Sequence, residues 1–348
     1  MLRMARAMLA QPVRRPVMLG IAGDSAAGTT TLARGLADVL GRTRCRTVCA
    51  DDYRRYDRDE RAALPFTALH PHAHHLRILE QHLQLLATGQ PVLKPVYDDA
   101  TGRLARPELV EPPQFVIVEG LLPLFGRAAR ACFDLTVYVD PPEEIRRRWS
   151  VDRDTRRRGY SAAEVHAELV RREPEAEAFV RPQRDHADIV VSFAPIPGRA
   201  DPPGTPLSAE VHWRPSVPRP DLADVLGPAP AHECAHSGPV GLAPAPSPEL
   251  VAVVEALRCE QHAPGQPMHL KRGTDPDGRA VDVLHVHGYV PGKRSRRLQS
   301  ALWAGLGEHG EPPAVLGRLG PGARSEALAI TQLLLLHPLV EAARARST

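Results

Sequence analysis

The stretch GDSAAGTTT at residues 23–31 decides the fold, because it has the form of a loop that binds phosphate. It follows a short apolar run at residues 17–22 and precedes apolar residues at helical spacing, so it lies where a strand turns into a helix. Backbone amides of such a loop and the positive end of the helix dipole converge on an anion. The residues expected to bind phosphate are Gly23, Asp24, Ser25, Ala26, Ala27, Gly28, Thr29, Thr30 and Thr31.

One position of the loop departs from the usual pattern GxxxxGK[ST]. Thr30 occupies the position of the hydroxyl that binds Mg²⁺, but Thr29 stands where the pattern has a lysine. A glycine-rich turn without that lysine is also compatible with a structural role, because strand-to-helix turns favour glycine. The loop alone therefore leaves its function open.

Apolar runs of strand length continue outward from the loop, at residues 17–22, 47–50, 115–119, 135–139 and 189–193. Such near-continuous apolar runs are typical of strands buried on both faces, and the amphipathic stretches between them predict helices. We predict an α/β domain at residues 17–206, in which helices flank a parallel sheet of the P-loop NTPase type.

The remaining segments differ in composition. Residues 1–16 predict a disordered lead-in, and residues 207–250 are rich in Pro and Ala, which predicts a linker. Residues 251–348 predict a small α+β extension with strands at 268–272 and 281–287 and a terminal helix at 326–344.

Bulk properties restrict the class of partner. The formal net charge is +3 over 348 residues and charges of both signs are interspersed, so we expect small anions and no nucleic acid. The five cysteines form no CxxC pair and no dense disulfide pattern, which is typical of proteins from a reducing compartment. No run reaches the roughly 18 apolar residues of a membrane helix. We expect a cytoplasmic protein.

Carboxylates stand at the ends of two predicted strands. Asp51 and Asp52 follow one strand, and Glu119 ends another. Ligands of open α/β sheets bind at the carboxyl ends of the strands, so these acids should flank the phosphate loop. One can orient Mg²⁺ and the other can accept a proton, although a strand-terminal acid also commonly caps a helix.

An arginine-rich helix is predicted within the segment EEIRRRWSVDRDTRRRGY at residues 143–160. Arg153 and Arg158 would project from it toward the mouth of the site, where cations can offset the charge of a transferring phosphoryl group. A solvated basic helix is the alternative.

Six stretches, in their order and spacing, resemble the phosphoribulokinase/uridine kinase family, and within it the plant and cyanobacterial type of phosphoribulokinase. They are ADDYRRYDRDER, KPVYDDATGRLARPELVEPP, FVIVEGLLPLF, FDLTVYVDPPEEIRRRW, RDTRRRGYS and RREPEAEAFVRPQRDHADIVV. The resemblance extends from about residue 17 to 195. It implies a kinase that uses ATP and Mg²⁺ to phosphorylate a phosphorylated pentose, converting ribulose 5-phosphate to ribulose 1,5-bisphosphate.

The resemblance also implies roles for individual residues. Asp51 would be the catalytic base, Thr30 and Glu119 the Mg²⁺ pair, and Arg153 with Asp154 the lid residues.

For the acceptor, Arg58, Arg158 and Arg172 match arginines that hold the sugar phosphate, and Tyr97 of the KPVY segment would also bind substrate.

Several positions depart from the family pattern. Ser150 stands at a second lysine position, and Arg54, Asp99 and Leu122 stand at histidine positions. Two other interpretations therefore stay open: a uridine kinase-like enzyme for another small hydroxyl compound, and a catalytically weakened nucleotide-binding regulator. A homo-oligomer is compatible with the sequence.

Of the two cysteines that form a redox pair in the plant enzymes, Cys49 matches one, while Ala27 replaces the other. The resemblance therefore implies that no thiol clamp forms here.

Overall fold

The computed structural model describes residues 15–196, 204–220, 222, 268–274, 278–289 and 291–346. The strands in chain order are β1 Val17–Gly23, β2 Cys45–Cys49, β3 Val92–Asp98, β4 Arg103–Val110, β5 Phe115–Gly120, β6 Leu135–Val139, β7 Ile189–Ala194, β8 Ser208–Trp213, β9 Met268–Thr274, β10 Ala280–Val286, β11 Arg318–Gly320 and β12 Ala323–Arg324. Residues 1–14 of the predicted lead-in and most of the predicted linker, at residues 221 and 223–250, lie outside the described residues.

The α-helices are α1 Thr29–Leu40, α2 Arg58–Ala62, α3 Leu76–Ala87, α4 Arg127–Arg130, α5 Glu143–Arg158, α6 Ala162–Glu175, α7 Gly292–Gly305 and α8 Glu326–Ala345. Short 3-10 turns lie at Ala50–Tyr53, Pro71–Ala73 and Arg181–His186, and a π-helical turn lies at Ala176–Val180.

An eight-stranded sheet has the order β2-β5-β1-β6-β7-β8-β10-β9. Its strands β2, β5, β1, β6 and β7 run parallel, and β8, β10 and β9 continue it in antiparallel fashion. Every residue of β1 is buried, as expected for a strand covered on both faces. The predicted α/β class with a parallel sheet flanked by helices is confirmed.

The C-terminal segment contains the predicted mixture of strands and helices, but β9 and β10 extend the main sheet. Helix α8 packs on this sheet, where Leu333 shares a core cluster with Ile21 of β1 and Val211 of β8. Within the described residues, α8 is the one helix whose length and composition would allow it to cross a bilayer. Because 72% of its most apolar window is buried inside the protein, it has the character of a core helix.

One prediction needs correction, and one hairpin is missing from the predicted elements. The predicted linker includes residues 208–213, but they form β8, in which Ala209, Val211 and Trp213 point into the core on every second position. This alternation is the signal of a half-buried strand, and the Pro-rich surroundings obscured it. The hairpin of β3 and β4 is absent from the predicted elements, because a proline interrupts each strand and β4 is exposed along almost its whole length.

The sheet places the carboxyl ends of β1, β2 and β5 side by side. Cys49 of β2 is the register partner of Glu119 in β5, and Ala22 of β1 is the partner of Gly120. The loop after β1, the turn after β2 and the end of β5 therefore meet at one edge of the sheet, as expected for ligand sites in open α/β sheets.

Candidate functional site

The phosphate loop connects β1 to α1 through an unusual backbone. Ala26 has a φ of 66° and is the only non-glycine residue with positive φ in the described ranges, and Gly28 has a φ of 104°. No side chain caps the N-terminus of α1, and its first turn holds no acidic residue. The amides of this turn lack acceptors within the helix, so they are suited to bind an anion.

The two threonines after Gly28 both bind Glu119. The Thr29 hydroxyl donates to Glu119 Oε2 over 3.0 Å, and the Thr30 hydroxyl donates to the same oxygen over 3.2 Å. Glu119 is only 5% exposed. Its burial, with the neighbouring charge of Asp51, raises the pKa of this carboxyl to about 7.

These groups fit a magnesium ion by their chemistry. Carboxylate and hydroxyl oxygens are hard ligands of the kind that Mg²⁺ takes. A buried carboxylate with a raised pKa also lacks a compensating positive charge, which a cation beside Glu119 and Thr30 would supply.

Asp51 and Asp52 have different environments. The Leu121 amide donates to Asp51 Oδ1 over 3.0 Å. Burial raises the pKa of Asp51, while the positive charge of Arg54 and this amide hydrogen bond act in the opposite direction. A carboxylate with a raised pKa has the property of a general base that works near neutral pH.

Asp52 is instead bound to the hairpin. Its Oδ2 lies 2.5 Å from Lys94 Nζ, and the Tyr97 amide donates to its Oδ1 over 3.0 Å. Asp52 therefore holds β3 against the turn that carries Asp51. Lys94, a lysine close to the site, has its ammonium group directed to this carboxylate.

Helix α5 lies against the phosphate loop. Arg153 Nη2 donates to Ser25 Oγ over 3.2 Å, and Arg153 Nε donates to Asp154 Oδ1 over 2.7 Å. Arg158 Nη1 lies 3.3 Å from the same Asp154 oxygen. Burial would raise the pKa of Asp154, but the hydrogen bond from Arg153 and the charges of Arg153 and Arg158 lower it overall. The structure thus brings the predicted lid residues to the loop.

Asp99 joins two of the predicted substrate arginines. Arg158 Nη2 lies 3.4 Å from Asp99 Oδ1, and Arg58 Nη2 donates to the Asp99 carbonyl over 2.6 Å. Gly102 has a φ of 74°, and a Cβ there would lie 2.8 Å from side-chain atoms of Arg58. The tight turn of the hairpin therefore allows the close approach of Arg58.

Tyr97 and Arg172 complete the predicted set. The Tyr97 hydroxyl donates to the Gly102 carbonyl over 3.0 Å. Arg172 Nε donates to Glu168 Oε1 over 2.6 Å. Burial lowers the pKa of Arg172, and the positive charges of Arg54 and Arg153 act in the same direction. Tyr97 therefore braces the hairpin turn, whereas Arg172 is paired with Glu168 within α6 and lies near the charges of Arg54 and Arg153.

Sequence analysis missed Arg146, which is 4% exposed. Arg146 Nη1 lies 3.5 Å from Asp24 Oδ2 and donates to the Ser25 carbonyl over 3.2 Å, so it fastens α5 to the phosphate loop. Its only sequence signal is the spacing of three residues from Glu143, whose carboxylate it contacts over 2.7 Å. Ser150, one helical turn farther along α5, is buried.

Cys49 should not act as a redox switch. Burial, together with the negative charges of Asp51 and Glu119, raises its pKa well above that of an ordinary thiol, so little reactive thiolate forms at neutral pH. The loop offers no cysteine partner, because residue 27 is Ala27. We expect kcat to be the same after incubation with dithiothreitol or with a mild thiol oxidant. A reversible loss of activity on oxidation that is absent in Cys49→Ser would contradict this.

Comparison with known proteins gives a consistent result. A model of the Phosphoribulokinase / Uridine kinase family matches residues 18–197. The chain is 38% identical over 181 residues to a phosphoribulokinase of Synechocystis sp., covering 52% of this chain and 54% of that protein. It is 31% identical over 207 residues to a uridine kinase of Deinococcus deserti, covering 57% of this chain and 96% of that protein.

The fold also resembles that of a solved phosphoribulokinase from Rhodobacter spheroides, with a TM-score of 0.57 at 14% identity, over 96% of this chain and 99% of that one. In sequence, the chain spans about half the length of the phosphoribulokinases that it matches.

Proposed function

Because the chain belongs to the phosphoribulokinase/uridine kinase family, we propose that it transfers the γ-phosphoryl group of ATP to ribulose 5-phosphate, giving ribulose 1,5-bisphosphate. The observation that supports this acceptor is the position of Arg58 and Arg158, which both contact Asp99. From there, Asp154 and Arg153 continue the polar contacts to the phosphate loop. Cations that can hold a second phosphate thus lie within reach of the nucleotide site.

The phosphate loop binds ATP in this proposal. The amides of the first turn of α1 meet the nucleotide phosphates, and no protein side chain caps that turn. Arg153 already reaches Ser25 of the loop, so its guanidinium can meet charge that develops on the transferring group.

Thr30 and Glu119 would hold Mg²⁺. Thr29 supports this arrangement, because its hydroxyl donates to Glu119 and orients the carboxylate. A Mg²⁺ ion held by these residues would offset the negative charge of the nucleotide phosphates.

Asp51 accepts the proton of the attacking hydroxyl. The Leu121 amide fixes one carboxylate oxygen, which leaves the other for the acceptor. Its raised pKa makes Asp51 a stronger base than an exposed aspartate.

Two lysine positions hold Thr29 and Ser150. Removing one preorganised charge donor typically lowers the rate by about 10²–10³-fold, and phosphoryl transfer uses several donors in parallel. Arg153 supplies one such charge at the loop, so we propose an active enzyme and not a regulator that only binds nucleotide.

We also propose that the protein is cytoplasmic, because its proposed substrates, ATP and a sugar phosphate, are solutes of the cytoplasm.

A uridine kinase-like activity is the second candidate, favoured by the match along 96% of the Deinococcus deserti protein. A neutral nucleoside would leave the buried guanidinium of Arg54 without an anionic ligand, which is costly in a desolvated site. The phosphorylated acceptor is therefore the better fit.

We expect Arg58→Ala and Arg158→Ala each to raise the KM for ribulose 5-phosphate by about 10- to 100-fold, because each removes charge-assisted hydrogen bonds to the acceptor phosphate. The KM for ATP should change little. Steady-state kinetics with each substrate varied in turn measures both KM values. Arg106→Ala is the matched control, because Arg106 is exposed on β4. An unchanged acceptor KM in both variants would show that the acceptor carries no phosphate at this place.

A further inference from the structure

Arg54 carries a buried charge that forms no salt bridge within the described part of the protein. Arg54 is only 9% exposed, and its Nε has no hydrogen-bond partner among the described residues. Within the described ranges it forms no ion pair with a carboxylate, whereas Arg153 has Asp154 and Arg172 has Glu168. A buried cation without an anion is unfavourable, so this arrangement requires an explanation.

The guanidinium is nevertheless held in a defined place. Its Cζ lies 4.7 Å from the centre of the Tyr97 ring, and the backbone of Arg54 forms a bridge with His74. The Tyr97 ring is itself fixed by the hydrogen bond of its hydroxyl to Gly102. The aromatic face offsets part of the charge, and the buried Nε–H has no acceptor among the described residues.

The positive charge of Arg54 shifts the pKa values of neighbouring groups. Burial and then the positive charge of Arg54 lower the pKa of His74 to about 4. Arg54 also contributes to the lowered pKa of Arg172, after burial. On the other side it opposes the effect of burial on Asp51, the proposed base. Arg54 therefore lies close enough to both Asp51 and Arg172 for its charge to act on them.

We propose that Arg54 binds the phosphate group of the acceptor and makes the site selective for a phosphorylated sugar over a neutral one. This inference rests on the proposed function and adds to it a residue that stands at a family histidine position. A guanidinium is always charged and presents parallel N–H donors that match two phosphate oxygens. A phosphate ester therefore supplies the anion that Arg54 lacks.

Arg54→Ala tests this directly. With ATP saturating, its KM for ribulose 5-phosphate should rise about 10- to 100-fold, and the KM for ATP should stay unchanged. Inorganic phosphate, used as an inhibitor competitive with the acceptor, should bind more weakly by a similar factor. Arg55→Ala is the matched control, because Arg55 is exposed and its Nε donates to the His74 carbonyl. This control should match the wild type.

Arg54→Lys keeps the charge and loses the paired donors, so we expect an acceptor KM between those of the wild type and Arg54→Ala. This variant decides the matter if Arg54→Ala does not fold, as judged by circular dichroism and ATP binding. A wild-type KM in Arg54→Lys and unchanged phosphate inhibition, or a fall in kcat alone in Arg54→Ala, would overturn the inference. If the wild type itself transfers nothing to ribulose 5-phosphate, it is the proposed function that fails.

Discussion

Asp51→Asn is expected to lower kcat by about 10²–10⁴-fold, the range over which general base catalysis contributes. Asparagine keeps the size of the side chain and can still accept the hydrogen bond from the Leu121 amide, but it cannot take the proton of the acceptor hydroxyl. The dissociation constant of ATP should stay unchanged, because the phosphate loop binds the nucleotide through other residues.

Both quantities can be measured on one preparation, with steady-state kinetics for kcat and calorimetry for ATP binding. Asp59→Asn is the control, because Asp59 is exposed on α2, and it should behave as the wild type. Full activity in Asp51→Asn would remove the assignment of the base. A loss of ATP affinity with Mg²⁺ present would instead place Asp51 at the metal.

Glu119→Gln should lower kcat by roughly 10²–10³-fold, because positioning and charge compensation by the metal contribute several kcal/mol. Glutamine can still accept the hydrogen bonds of Thr29 and Thr30 at its amide oxygen, so the loop should keep its shape. What is lost is the negative charge that would hold Mg²⁺.

A titration of activity with Mg²⁺ at fixed ATP separates this cause from general damage. We expect half-maximal activity at a higher Mg²⁺ concentration in Glu119→Gln than in the wild type. Glu111→Gln, exposed just before β5, should leave the titration unchanged. An identical Mg²⁺ titration in Glu119→Gln would show that this carboxylate does not hold the metal.

The parallel part of the fold could be predicted from the sequence because its central strands β1, β5 and β6 are buried on both faces. Burial of this kind leaves a continuous apolar run, as in β1, next to a loop with a recognisable form. The β3 and β4 hairpin leaves no such trace, because it is held by contacts such as that of Lys94 with Asp52, which are 42 residues apart.

The site residues could be predicted from the motifs and the resemblance, but their connections could not. Thr29 binds Glu119 across 90 positions of the chain. Arg146 reaches the Ser25 carbonyl across 121 positions. Local patterns carry no information on such contacts, and the missing anion beside Arg54 is visible only once its neighbours are in place.

We propose that these residues form a working kinase for a phosphorylated pentose without either family lysine. The most direct test of this proposal follows the label of ATP labelled in the γ-phosphoryl group, with the wild-type protein and Mg²⁺, in the presence of ribulose 5-phosphate, uridine or no acceptor. We predict that the label passes to ribulose 1,5-bisphosphate and that uridine gives no more transfer than the control without acceptor. Label in uridine monophosphate, or release of labelled inorganic phosphate alone, would contradict the claim.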